Sequence, residues 1–239
     1  MRIFSDMAER EKEQPGSHSQ TLSRGIRALE ALAGADGALS IDELALELGV
    51  HRSIAYRMVR TLEHHRLITR DPSGRCLPGA GLAVLAHSVS RDVQDVALPE
   101  LAAVADELAM TTLIAVEDHE ECVTLSTVEP RRASAAVAQR PGSRHSLELG
   151  APGIALLTRH DDSGRDPDVR AHIAAARERG YATSHDEVIT GVSSVAVPIP
   201  SRGPTHVALG VVYVGTDRAV EEIAERLCEA ARAVGRQVG

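Results

Sequence analysis

The sequence predicts an α+β chain in which an N-terminal winged helix-turn-helix is joined by a linker helix to a C-terminal antiparallel-sheet domain. Three observations predict it. Apolar residues recur at helical spacing in three stretches between residues 20 and 65, and two short extended runs around a Pro/Gly turn follow them. Between His51 and Arg75, six arginines stand against Glu63 and Asp71, on a chain whose net charge is −8. From residue 111 onward, β-rich runs alternate with amphipathic helical stretches.

At 239 residues, 43% apolar and 25% charged, the chain reads as one or two globular domains and not as a fibrous or disordered protein. Its longest charge-free apolar runs, such as 206–215, fall far short of the roughly 18 to 20 residues that a membrane helix needs. Cys76, Cys122 and Cys228 are widely spaced with no C-x-x-C, which excludes a disulfide framework and a cysteine-rich zinc site. With no secretory signal read at the N-terminus, the cytoplasm is the expected compartment. One Phe, three Tyr and no Trp leave little for the stacking platforms that hold single-stranded nucleic acids.

Residues 1–18 are polar and are expected to be a mostly disordered leader. Residues 19–78 form the first domain. Leu22, Ile26, Leu29 and Leu32, with Ala28 and Ala33, predict a helix that ends at Gly34–Gly37. Ser40 and Glu43 have the spacing of a capping box, and Leu44, Leu46 and Leu48 follow on a short helix. After a turn at Gly49-Val50, a third helix over His51–His65 is expected to bury Ile54, Ala55, Met58, Val59 and Leu62. Residues 67–70 and 75–78 flank Asp71-Pro-Ser-Gly74 as a hairpin, the wing.

On this reading the basic stretch falls on the third helix and the wing, the two parts of such a fold that touch a duplex. His51, Arg52, Ser53, Tyr56 and Arg57 crowd the leading face of the helix, with Arg60 one turn further. Arg52 and Arg57 can donate in pairs to a guanine edge or clamp a phosphate. Ser53 and Tyr56 suit phosphate anchors, and Arg70 and Arg75 sit on the wing. The expected partner is double-stranded DNA.

Residues 79–93 predict a linker helix, and residues 94–239 a second domain. Strands are expected at Thr111–Glu117, Cys122–Val128, Ser134–Gln139, Tyr181–Ser184, Ser193–Pro200 and His206–Val214. Helices are expected at Gly150–Arg159, Asp168–Arg179 and Val220–Val238. G-x-S-x-G, P-loop and H-E-x-x-H patterns are missing from the sequence, and Ser143 beside His145 reads as a polar loop. No catalytic residue, metal or cofactor is expected; His51, His64 and His65 read as surface residues.

With these elements in order, the chain resembles the IclR family of bacterial transcriptional regulators over about residues 19–238. The carriers are residues 21–30, Leu39–Ala45, Gly49–Ser53, Ala55–Arg57, Asp71–Arg75, Leu147–Leu157, Arg179–Ala182 and Gly191–Ile199. The resemblance implies a GAF-like effector domain for a small organic ligand, homodimers or homotetramers, and a palindromic operator on the bacterial nucleoid. It also implies a repressor or an activator, of a catabolic operon. The implied effector site comprises Gly150, Ala151, Pro152, Gly153, Ser184, Val192, Ser194, Val211 and Tyr213. At several of these places the chain departs from the family, with Glu148, Gly150 and Ile154 where His, Thr and Lys are usual. Amides of 150–153 at a helix start could receive a carboxylate ligand. The alternative is a DNA-binding regulator blind to ligand, its pocket filled by its own side chains.

Overall fold

A computed structural model describes residues 19–86, 91–131, 139–200 and 206–238. The chain divides into two units, one up to residue 90 and one from residue 91. The expected leader, most of the strand at Ser134–Gln139, the 201–204 turn and the middle of the linker helix lie outside the described residues.

The first unit is a winged helix-turn-helix. Helix α1 (Gln20–Gly34) begins where the Ser19 hydroxyl accepts from the Leu22 amide, and it buries Gly25, Ala28 and Leu32. Helix α2 (Ile41–Glu47) starts on the capping box: the Glu43 amide donates to Ser40 Oγ at 3.2 Å, and the Ser40 amide to Glu43 Oε2 at 2.7 Å. Two orphan donors are thereby satisfied reciprocally. Amides of Gly49 and Val50 close the turn onto Leu46 and Ala45. Helix α3 (Arg52–His64) follows, then strands β1 (Ile68–Arg70) and β2 (Cys76–Pro78), paired antiparallel with Thr69 opposite Leu77. Leu39 exchanges both backbone hydrogen bonds with Cys76, so the wing is also tied to the loop before α2.

Leu32, Leu44, Val59, Ile68 and Cys76 form the core of this unit, with Ala28, Leu48 and Met58 beside it. Three expectations need correction. Leu22 and Ile26 are exposed, because α1 packs through its small residues; Leu46 is 84% exposed; and Ile54 is exposed. On α3 the buried stripe is Ala55, Met58 and Val59 with part of Leu62, and Ile54 lies about 90° from its centre at 100° per residue. The unit closes with α4 (Ala80–Ala86), on which Val84 and Leu85 are exposed.

The second unit begins with α5 (Arg91–Leu108). Its sheet comprises β3 (Thr111–Asp118), β4 (Glu121–Val128), β5 (Arg144–Ser146), β6 (Ala182–His185), β7 (Ser193–Pro198) and β8 (Val207–Tyr213). The order is β5-β4-β3-β8-β7-β6, with every neighbouring pair antiparallel. The β5 strand stands where the sequence suggested a polar loop. Helix α6 (Gly150–Leu157) and α7 (Pro167–Arg179) cover one face, and α5 and α8 (Val220–Val238) cover the other. Alternate strand residues divide accordingly: Ile114, Val195, Val197, Leu209 and Val211 face α5 and α8, while Leu113, Ala196, Ala208 and Val212 face α6 and α7. Covering on both faces explains why β3, β7 and β8 read as nearly continuous apolar runs.

Candidate functional site

The first candidate is the outward face of α3. His51 caps the helix: its Nδ1 accepts from the Ser53 amide at 3.3 Å and lies 2.9 Å from Ser53 Oγ. A capping role for His51 was not among the sequence expectations. Exposed in succession are Arg52, Ser53, Ile54, Tyr56, Arg57 and Arg60, with Ala55, Met58 and Val59 anchoring the opposite side. Arg52 pairs with Asp42 of α2 at 2.7 Å, both about two-thirds exposed. Such a surface pair contributes little and exchanges readily for a phosphate. Among the described residues, Arg57 and Arg60 have no ion-pair partner. The face presents planar donors, hydroxyls and a helix N-terminus on one rigid element, the set that grips phosphates and base edges.

The wing arginines sit on the wing as expected, and each is bonded within the unit. Arg70 donates to Glu63 Oε1 at 3.1 Å and to the Gly74 carbonyl at 3.1 Å. Arg75 donates to the Ala38 carbonyl and to both Glu43 carboxylate oxygens, the nearer at 2.9 Å. Both guanidiniums therefore clamp the wing to α3 and to the capping box of α2. At the wing tip Asp71 Oδ1 accepts from the amides of Ser73 and Arg75 and from the Ser73 hydroxyl. These bonds, the Ser73 hydroxyl foremost, hold Asp71 below the usual carboxylate range.

The second candidate is a pocket over the start of α6. Gly150 enters the helix at φ +75°, a conformation that glycine adopts without strain. Its amide donates to Glu187 Oε2 at 2.7 Å, from the loop after β6. The Ala151 amide donates to Ser184 Oγ at 3.0 Å and to Ser194 Oγ at 3.4 Å, and the two hydroxyls are 2.7 Å apart across the β6–β7 pair. Leu113, Thr124, Gln139, His145, Pro152, Val188, Ile189, Val192 and Val212 complete the lining. Burial pushes the His145 ring below the ordinary histidine pKa, outweighing the backbone bonds and the Glu121 and Glu187 carboxylates that favour its charged form. The enclosed space is about 30 Å³, room for one or two waters. A larger depression of about 200 Å³, beside Cys228 and Pro198–Pro200, is open to solvent and lacks such enclosure.

Of the residues that the resemblance implied here, Gly150, Pro152, Ser184, Val192 and Ser194 line the pocket and Ala151 faces it through its amide. Val211 and Tyr213 do not. Strand alternation turns them to the α5–α8 face, and Val212 lines the pocket in their place. Gly153 has a packing role: a Cβ there would stand 2.4 Å from the Leu147 carbonyl oxygen. Sequence reasoning missed Glu187, His145, Val188 and Ile189. A carboxylate and two apolar residues before Gly191 in an otherwise polar loop were the available signal.

Residues 21–72 match the sequence profile of the IclR helix-turn-helix domain, and residues 164–239 that of the bacterial transcriptional regulator IclR C-terminal domain. The glycerol operon regulatory protein of Streptomyces coelicolor is 26% identical over 92% of this chain and 96% of its own. The HTH-type transcriptional regulator XynR of Escherichia coli is 26% identical, over 92% of this chain and 97% of its own. Among solved structures, an IclR transcriptional regulator from Alicyclobacillus acidocaldarius has a TM-score of 0.78 at 25% identity, over 93% of this chain and all of that one. An IclR homolog from Microbacterium hydrocarbonoxydans, complexed with 4-hydroxybenzoate, has a TM-score of 0.79 at 25% identity, over 92% and 99%.

Proposed function

The chain belongs to the IclR family of bacterial transcriptional regulators, and from that premise we propose that it binds a palindromic operator as a homo-oligomer and releases or tightens it when a small organic carboxylate enters the α6 pocket. The observation that carries the DNA half is the α3 face, where Arg52, Ser53, Tyr56, Arg57 and Arg60 are all exposed behind the His51 cap. The helix enters the major groove with its N-terminal end leading, and two copies read half-sites one helical turn, or a multiple of it, apart. Arg70 and Arg75 act indirectly, by fixing the wing. Exposed Leu22, Ile26, Val84 and Leu85 in the same unit support association of copies. The site of action is the nucleoid in the cytoplasm, and a relative named for the glycerol operon supports a catabolic target.

The effector half rests on the Gly150 and Ala151 amides, which already hold oxygen ligands from the chain. A ligand carboxylate replaces Glu187 at Gly150, and the Val188–Ile189 loop withdraws to admit the rest of the molecule. The 4-hydroxybenzoate complex of the Microbacterium relative makes aromatic carboxylates the first compounds to test. Coupling between the sites is expected at about 1–3 kcal/mol. Fluorescence anisotropy on promoter fragments, with and without 4-hydroxybenzoate, tests the reading. Salt-dependent retention of a specific fragment supports it, and failure to bind any fragment at low salt refutes it. The present closure of the pocket favours a second reading, a regulator that senses no ligand. Calorimetry with a panel of small carboxylates separates the two, since only the first predicts heat of binding.

A further inference from the structure

At the end of the sheet away from Ser184 and Ser194, three side chains from distant parts of the chain meet. Glu117 is the penultimate residue of β3, His206 stands immediately before β8, and His160 follows α6. Glu117 Oε2 lies 2.8 Å from His160 Nε2 and 3.0 Å from His206 Nδ1, and those two nitrogens are 2.8 Å apart. An ionised carboxylate and two imidazoles cannot satisfy this nearly equilateral triangle with their own protons. A neutral ring nitrogen brings either one N–H or one lone pair, and an N–H does not accept. If both nitrogens donate to Glu117, two N–H groups crowd each other at 2.8 Å; if either nitrogen is bare, one edge sets lone pair against lone pair. A cation that receives a lone pair from each corner satisfies all three at once.

We propose that Glu117, His160 and His206 form a binding site for a first-row divalent transition-metal ion. The ligand chemistry is two imidazoles and a carboxylate on one face of the ion. For bonds of about 2.1 Å, adjacent ligand atoms are about 3.0 Å apart in an octahedral shell and about 3.4 Å apart in a tetrahedral one. The edges of 2.8–3.0 Å match the octahedral face. The three side chains are each about one-quarter exposed, so water or an exogenous ligand completes the shell.

The site is also braced. The Glu117 amide donates to the His206 carbonyl, fixing two corners across the β3–β8 pair. Arg177 of α7 donates to the carbonyls of Thr158 and His160 at 2.8 and 2.6 Å and pairs with Asp162, so the loop that carries the third corner is held. The imidazole rings stand at 86° with centroids 4.7 Å apart, so that their nitrogens converge without stacking. Support of this kind around ligands is typical of metal sites. The ion would bind together β3, β8 and the end of α6, the helix whose first turn forms the pocket.

The test uses the full-length untagged chain, stripped with a chelator and titrated with Co2+ and Ni2+ by calorimetry and absorption spectroscopy. One equivalent per chain is expected, with the weak visible bands of six-coordinate Co2+ and a rise in the thermal midpoint. H160A and H206A should each weaken binding by about a hundredfold or more, R177A by about tenfold, and H172A, at an exposed histidine of α7, not at all. E117Q keeps the shape of the side chain and carries the test if a histidine variant fails to fold. No binding by the parent chain, an intense tetrahedral Co2+ spectrum, or binding that survives all three ligand substitutions would overturn the proposal.

Discussion

The two units treat their helix starts in opposite ways. At α3 the residues after the His51 cap are left to solvent, with Arg57 and Arg60 free of ion-pair partners among the described residues. At α6 the first amides are already engaged by Glu187, Ser184 and Ser194, under a roof of Val188 and Ile189. Both ends attract anions for the same reason, amides without an intrahelical partner and a favourable dipole. The difference is thermodynamic. On the function proposed above, a duplex would meet an open, preformed face on α3, whereas an effector would have to displace bonds that the folded chain already makes. The first site is therefore tuned by what is added to it, the second by how firmly it is closed.

The closed side should be the more fragile to added volume. A Cβ at Gly153 would stand 2.4 Å from the Leu147 oxygen and 2.9 Å from its carbonyl carbon, both backbone atoms that cannot rotate aside. Gly153→Ala should cost about 3 kcal/mol, read as a lowered midpoint in urea unfolding. On the open side, Arg57→Ala should leave stability unchanged and weaken operator binding by about 1–3 kcal/mol. If Arg57 contacts phosphate alone, the loss is uniform across sequences and the salt slope falls by about one; a base contact relaxes specificity at one position. A large stability loss from Arg57→Ala would erase the contrast between the two units.

The contrast also governs how much was legible in sequence. The first unit is built of local signals. The Ser40–Glu43 capping box, the Gly49 turn and the Asp71–Gly74 wing each lie within a few residues, and each forms. Where reading failed there, an adjacent apolar residue was mistaken for a core one, as with Ile54 beside Ala55. In the second unit the strands were legible, but the face that each residue takes depends on a register set by distant partners. A shift of one residue separates Val211 from Val212 and places them on opposite sides of the sheet. Contacts such as Gly150 with Glu187, or Glu117 with His160 and His206, join segments 37 to 89 residues apart, and no spacing rule announces them.

Glu187→Gln sharpens the comparison from the closed side. It exchanges a charge-assisted bond to the Gly150 amide for a neutral one of about half the strength while keeping the shape of the side chain. The closure should loosen, and affinity for 4-hydroxybenzoate or a kindred carboxylate should rise about tenfold, equivalent to about 1.4 kcal/mol. Unchanged affinity in calorimetry would mean that Glu187 braces the loop without competing for the amide. Operator binding without ligand should change less than ligand affinity, because α3 keeps its own cap.

The smallest effect is in the order in which acid loosens the two units. His145 is held neutral by burial, so its folded pKa lies below that of the unfolded chain. As pH falls through the ordinary histidine value of about 6.5, the unfolded state takes up a proton first, and the second unit begins to lose stability there. Glu43 and Asp71 work in the same direction but over a more acidic range. The Ser40 amide and the Ser73 hydroxyl are the largest influences holding their carboxyls below the ordinary values of 4.5 and 3.8. The stability they contribute to the first unit is complete above those values and is lost as pH falls through the lowered folded ones. Amide hydrogen exchange followed from pH 7 downward should therefore show protection near Ala151 weakening before protection on α2. His145→Gln should remove the early loss and leave the later one, and Glu43→Gln should do the reverse, because each substitution deletes the group whose proton uptake differs between folded and unfolded chains. If the two units lost protection together in the parent chain, the separate pH ranges of His145 and Glu43 could not be what sets their acid response.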